Sequence, residues 1–256
     1  MIFLKSASER CLGTIVFIHG VCHGAWCWEV NFMPYFSLRG YDCYAVDLPG
    51  HEPGQISSVN INYLTIEDYV ANVHALVDTL EEQPILVGHS MGGFIVQIYL
   101  EKYPCKAAVL LASSPPTGAW RAALRFIRRH PASILNLIKR DITGPFHQYA
   151  RSELFYQHVP PETMNAYRKK MTAESFTAFL QLLAPSIKFN FHLCIPILVM
   201  GAANDRLFDQ DDISRTAKRY QTGPVMIDEC GHNMMLDTSH ETVANNIFNW
   251  LKENSL

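Results

Sequence analysis

Short apolar runs of four or five residues recur along the chain at Thr14–Ile18, Cys43–Val46, Pro84–Val87, Ala107–Leu111, Pro196–Met200 and Pro224–Ile227. Each is nearly continuous rather than alternating, which is how a strand reads when helices cover both faces of its sheet. Between these runs the apolar residues return at intervals of three and four. Over Thr65–Leu80, the residues Ile66, Tyr69, Val70, Val73, Leu76 and Leu80 fall on one helical face, and Thr65 with Asp68 makes a capping-box-like start. A closing amphipathic helix is predicted over Glu241–Leu251 through Val243, Ile247, Phe248 and Leu251. Strands alternating with helices predict an α/β fold on a mainly parallel sheet.

One region breaks the rhythm. From Pro115 to about His192 there are aromatics and helix formers but no clear buried strand, and the strand pattern resumes at Ile195-Pro196. The organisation predicted is a core of residues 1–114 and 193–256, with 115–192 inserted as a helical cap over one end of the sheet.

Composition narrows the functional classes. Of 256 residues, 48% are apolar and only 18% charged, enough for a large buried core. The net charge of −3 gives no general reason to expect nucleic acid or an anionic membrane as partner. Lys5, Glu9 and Arg10 interrupt the N-terminal stretch, and no apolar run approaches the roughly 18 residues of a membrane span. The seven cysteines show no CxxC or zinc-ligand spacing, and several sit in apolar runs where a reduced thiol packs as a small hydrophobe. The expectation is a soluble cytoplasmic protein.

The candidate chemistry begins at Gly88-His89-Ser90-Met91-Gly92-Gly93, between an apolar run and a helical pattern. G-x-S-x-G occurs by chance in proteins of this size. What raises its weight is a buried strand before it and a helix after it, the setting in which a tight turn presents a nucleophilic serine. A serine hydroxyl needs a base within hydrogen-bond reach. In that setting the partners follow in the order serine, acid, histidine. Of eleven histidines, only His232 and His240 lie beyond the last strand. His232 sits in the turn directly after that strand, whereas His240 opens the final helix and reads as a solvated residue. Asp205 follows Pro196–Met200 by a short loop, while Asp209, Asp211 and Asp212 read as the acidic first turn of a helix. Asp237 follows His232 and breaks the order. For a developing oxyanion, the backbone N–H of Met91 is one donor by position. The second is placed in the loop "HGVCHG", at Val21 in preference to Cys22, with His19 bracing that loop.

Together, His19-Gly20, Asp47-Leu48-Pro49-Gly50-His51, Gly88–Gly93, Asp205 and Gly231-His232 resemble the α/β-hydrolase superfamily over nearly the whole chain. That resemblance implies the α/β-hydrolase fold with a helical cap insertion. It also implies a catalytic Ser90, Asp205 and His232, with Val21 and Met91 forming the oxyanion hole. Haloalkane dehalogenases and epoxide hydrolases of the superfamily use an aspartate nucleophile, where this chain has Ser90. The stretch "HGVCHGAWCWEV" is similar to the plant methylesterase and hydroxynitrile-lyase group. The lyases place a threonine where Gly20 stands and a lysine where Asn233 stands, so the esterase side of the group is the one implied. The resemblance implies hydrolysis of a carboxylic ester through an acyl-enzyme, without metal or organic cofactor. Thioesterase, C–C hydrolase and perhydrolase chemistry are alternatives on the same triad, and a slow-turnover small-molecule receptor is a more distant one.

Trp120, Phe126, Phe146, Phe176 and Phe179 are the aromatic residues of the insertion expected to line a substrate pocket that takes an apolar acyl or aromatic group. Arg121, Arg125 and Arg128 recur at four and three, on one helical face. That face either receives an acidic carrier protein or is simply solvated.

Overall fold

The structure is a computed structural model, and it describes residues 1–8, 10–52, 60–156, 159–185 and 195–256. Its framework is a seven-stranded sheet: β1 (Ile2–Leu4), β2 (Gly13–Ile18), β3 (Tyr41–Val46), β4 (Ile85–His89), β5 (Ala107–Leu111), β6 (Ile197–Ala202) and β7 (Pro224–Ile227). The spatial order is β1-β3-β2-β4-β5-β6-β7. Only β1 runs antiparallel, pairing Ile2 with Ala45 and Leu4 with Cys43 at the edge; all other pairings are parallel. The six apolar runs all became strands. The edge strand β1 was not among them: Ile2-Phe3-Leu4 is apolar, but it is only three residues long and largely exposed on the sheet edge.

The reason the runs are continuous is visible in the burial. Every residue of β4 and of β5 is buried, since helices cover both faces of the sheet. Between β2 and β3 lie the short helices α1 (Trp26–Glu29) and α2 (Phe32–Ser37), whose rings pack on Phe17. Helix α3 (Ile66–Val77) starts on a capping box formed as the sequence predicts. The Thr65 hydroxyl accepts from the Asp68 N–H, and Asp68 accepts from the Thr65 N–H at 2.8 Å. Helix α4 (Met91–Leu100) is buried on every side because it fills the layer directly behind β4.

Among the described residues, five helices lie between β5 and β6: α5 (Trp120–Arg129), α6 (Ser133–Ile138), α7 (Thr143–Leu154), α8 (Pro161–Lys170) and α9 (Phe176–Leu183). Among the described residues this insertion holds no strand. The expected C-terminal boundary of the cap, at 192/193, lies outside the described residues. After β6 come α10 (Gln210–Arg219), capped by the Asp209 side chain on the Asp212 N–H, and α11 (His240–Glu253), which closes the chain.

The order of strands places the site. The chain passes from β2 to β3 on one side and then crosses back over β2 to β4 on the other, so a crevice opens at the C-terminal ends of β2 and β4. The loops after β2, β4, β6 and β7 all converge there.

Candidate active site

The turn at Ser90 is forced by geometry. Strand β4 ends at His89 and helix α4 begins at Met91, leaving one residue to reverse the backbone. Ser90 does this at φ 56° and ψ −118°, a conformation that costs a non-glycine residue on the order of 1–3 kcal/mol. Neighbours hold it there: the Ser90 N–H donates to the Leu111 carbonyl at 3.0 Å, and the Ser114 N–H donates to the Ser90 carbonyl at 3.3 Å. The flanking glycines allow the tight packing. A Cβ on Gly88 would lie 2.5 Å from the Gly92 carbonyl oxygen and 2.7 Å from the Gly93 Cα.

His232, on the loop after β7, donates from Nδ1 to Asp205 Oδ2 at 2.8 Å. Both side chains are almost fully buried. The other carboxylate oxygen of Asp205 accepts the N–H groups of Leu207 at 2.7 Å and Phe208 at 3.0 Å. The carboxylate is therefore clamped, and it fixes the imidazole with its Nδ1 proton inward and Nε2 free. Ser90 and His232 line the same cleft. His240 lies apart, its ring 2.9 Å from the Asp237 carbonyl. Asp237 accepts the N–H groups of Gly231 and Tyr156, which shapes the turn that carries His232.

The loop after β2 can be read by accounting for its polar groups. His19 donates from Nδ1 to the Gly20 carbonyl at 2.9 Å, and its Nε2 accepts the Leu48 N–H at 3.1 Å. His23 donates from Nδ1 to the Val21 carbonyl at 2.8 Å, and its Nε2 accepts from the Asn233 amide at 3.1 Å. The Cys22 N–H donates to Glu174 Oε2 at 3.2 Å, and the Cys22 carbonyl accepts the Thr172 N–H at 3.0 Å. What remains is the Val21 N–H, which has no partner among the described residues. The Met91 N–H, at the first position of α4, has none either. Gly20 lets this loop reach the serine: a Cβ there would come within 2.9 Å of the Ser90 Cβ.

The buried histidines differ in charge. Burial pushes His19 and His89 well below the ordinary imidazole value, and takes His23 down to about 4, so all three are neutral. His51 goes the other way. Desolvation opposes its charge, but the carboxylate of Glu174 outweighs that, and its pKa is raised. Burial likewise pushes Glu174 up, but the His51 charge and its hydrogen bonds win and hold its carboxyl below the usual range.

The cleft encloses about 830 Å³, counting its open mouth. Of the aromatic residues expected to line it, Phe126, Phe146 and Phe179 do so. Trp120 does not; it is 48% exposed on the outer face of α5. Phe176 does not either; its N–H bonds to the Asn62 side chain, and the Arg140 guanidinium sits over its ring. Helical periodicity shows which residues share a face but not which neighbour that face meets. The same limit applies to the three arginines. Arg125 is turned into the protein, bonded to Asp209 at 2.8 Å, to the Leu207 carbonyl at 2.6 Å and to Asp212. Only Arg121 and Arg128 of the predicted basic face remain exposed, and Arg125 instead ties the cap to the loop that carries Asp205.

Glu174, His23 and Asn233 are the site residues that sequence reasoning passed over as functional. A lone glutamate inside a helical insertion carries no motif, so Glu174 had no signal. Asn233 had one, being the neighbour of His232.

Among the described residues no cluster of His, Cys, Asp or Glu is placed to hold a metal ion, and no helix is long and apolar enough to cross a membrane. Residues 15–245 match the Alpha/beta hydrolase family. The chain is 37% identical over 126 residues to salicylic acid-binding protein 2 of Nicotiana tabacum, covering 46% of each chain. It is also 37% identical over 107 residues to methylesterase 1 of Arabidopsis thaliana, covering 40% of each. These matches span less than half the length of the curated relatives. A thermophilic esterase from Thermogutta terrifontis superposes with a TM-score of 0.75 at 18% identity, over 100% of this chain and 94% of that one, a likeness of fold alone.

Proposed function

Because the chain belongs to the alpha/beta hydrolase family, we propose that it is a serine hydrolase cleaving a carboxylic ester with an apolar acyl or aromatic group. The observation that carries this reading is Ser90 on a strained turn, sharing one cleft with a His232 whose tautomer is set by Asp205. Ser90 Oγ attacks the ester carbonyl as His232 Nε2 takes its proton. The N–H groups of Val21 and Met91 receive the oxyanion. His232 then returns the proton to the departing alcohol, leaving an acyl-enzyme, and water activated by the same imidazole releases the acid.

The apolar wall of Phe126, Phe146, Phe179 and Leu182 supports a hydrophobic acyl side. The names of the relatives, methylesterase and salicylic acid-binding protein, support a small alcohol leaving group and an aromatic acid. We place the cap at residues 115–192, roofing this cleft. Replacement of Ser90 by alanine is expected to lower p-nitrophenyl ester turnover by about 10⁶-fold. It should also abolish covalent labelling by a fluorophosphonate while leaving the circular dichroism spectrum unchanged. Labelling that persists in the variant refutes the assignment. A panel of ester and thioester leaving groups then fixes the acyl chemistry.

A further inference from the structure

The oxyanion loop after β2 is held on its outer side by the insertion, through the segment that links α8 to α9. The Thr172 N–H donates to the Cys22 carbonyl at 3.0 Å, and the Thr172 hydroxyl donates to the His23 carbonyl at 3.1 Å. Two residues on, Glu174 is buried and receives four donors. Oε2 accepts the Cys22 N–H and the His51 Nε2–H, each at 3.2 Å. Oε1 accepts the Tyr69 hydroxyl at 2.9 Å and the Ser175 N–H at 2.8 Å. His51 also donates from Nδ1 to the Pro49 carbonyl at 3.2 Å, so both ring nitrogens carry protons and the pair is ionised. A buried carboxylate that meets charge and hydrogen-bond demand on both oxygens is a rigid anchor.

Cys22 shows what the anchor does. It stands at φ 61°, in the left-handed region, and this turns its N–H away from the cleft and toward Glu174. The preceding N–H, that of Val21, is thereby the one left without a partner beside Ser90. We propose that Glu174 is a positioning residue for the oxyanion site, selecting the Val21 N–H as donor and making that donor's placement conditional on the seated cap. The inference rests on the serine-hydrolase reading above. It adds that the insertion contributes to the rate of the chemical step, and not only to the shape of the cleft. Glu174 does not touch the reacting atoms; it acts through the peptide between Val21 and Cys22.

The test is Glu174→Gln, with Glu174→Asp as second variant and Tyr69→Phe as control. A glutamine that keeps its oxygen toward Tyr69 and Ser175 turns its NH₂ toward the Cys22 N–H, and the loop must move. Displacing one oxyanion donor, rather than deleting it, predicts a kcat loss of about 10- to 100-fold. KM for the p-nitrophenyl ester should change less than about threefold, because ground-state contacts in the apolar wall are untouched. Affinity for a boronic acid, which mimics the tetrahedral intermediate, should fall in parallel with kcat. Glu174→Asp keeps the charge for His51 but withdraws the oxygen from Cys22, so it should lose kcat likewise. Tyr69→Phe removes one hydroxyl from the same carboxylate without touching Cys22, and should lower Tm while keeping kcat. Wild-type kcat per titrated active site in whichever glutamate variant folds overturns the inference. Equal kcat loss in Tyr69→Phe also overturns it, since the effect would then be general destabilisation. A wild-type protein with no ester turnover overturns the parent reading instead, so the two failures are distinct.

Discussion

Replacing Asp205 by asparagine changes one atom and tests the histidine's tautomer. In the wild-type arrangement Oδ1 accepts two backbone N–H groups, from Leu207 and Phe208, while Oδ2 accepts the His232 Nδ1–H. Asparagine has one oxygen for these two duties. Turning its NH₂ toward Leu207 and Phe208 would strand two buried donors, at about 1–3 kcal/mol each. Turning it toward His232 strands none, provided the imidazole moves its proton from Nδ1 to Nε2. The second arrangement wins, and it leaves His232 without the lone pair that, in the proposed mechanism, takes the Ser90 proton. A wrong-tautomer histidine costs about 10⁴-fold in kcat, equivalent to about 5.4 kcal/mol of activation free energy. Because the loop keeps both its backbone bonds, KM and the circular dichroism spectrum should stay near wild type. The assay is steady-state hydrolysis of a p-nitrophenyl ester, with fluorophosphonate labelling as an independent reading of nucleophilicity. A variant with kcat within tenfold of wild type would refute the claim that Asp205 governs the base.

Two further outcomes follow from packing and charge. Gly88→Ala sets a Cβ against backbone atoms of Gly92 and Gly93 that no rotamer change can move. The expected loss is about 3 kcal/mol, read as a Tm lowered by about 6–12 °C; a Tm within experimental error of wild type would refute the close approach. The Glu174–His51 pair sets a pH window for stability. Glu174 is held low, so its contribution is present above the ordinary carboxylate range and is lost as pH falls through its depressed pKa. His51 is held high, so its contribution is whole below the ordinary imidazole value and is lost as pH rises through its raised pKa. Urea midpoints should therefore be highest between roughly pH 5 and the ordinary imidazole value of about 6.5, falling beyond either edge, and this dependence should flatten in Glu174→Gln. Unchanged pH dependence in the variant would show that the pair does not titrate with folding.

Much of the site was legible because its motifs are local. Gly88–Gly93 reports its own turn in part, since a Cβ on Gly88 would meet Gly92 and Gly93, although Gly92 and Gly93 are kept small by the more distant Ile18 and Ser113. Asp205 and His232 were nominated from chain order and from their place just after strands, and the structure pairs these two side chains. The Thr65–Asp68 cap was readable for the same reason, as both partners belong to one turn. The insertion behaved differently. Its residues were correctly seen as helical, yet Trp120 faces outward, Phe176 is tied by its N–H to Asn62 and lies under Arg140, and Arg125 serves the loop after β6.

The chain alone thus determined an alternating α/β sheet and signalled the turn at Ser90, each largely through short-range periodicity or packing demand, and chain order nominated Asp205 and His232 as candidate partners. Only the tertiary structure decided what the insertion does to the core. Glu174 meets Cys22 across 152 positions and His51 across 123, and nothing in the local sequence of any of the three announces the others. Such contacts depend on where whole helices come to rest, which is set by the summed burial of their apolar faces rather than by any one residue's neighbours.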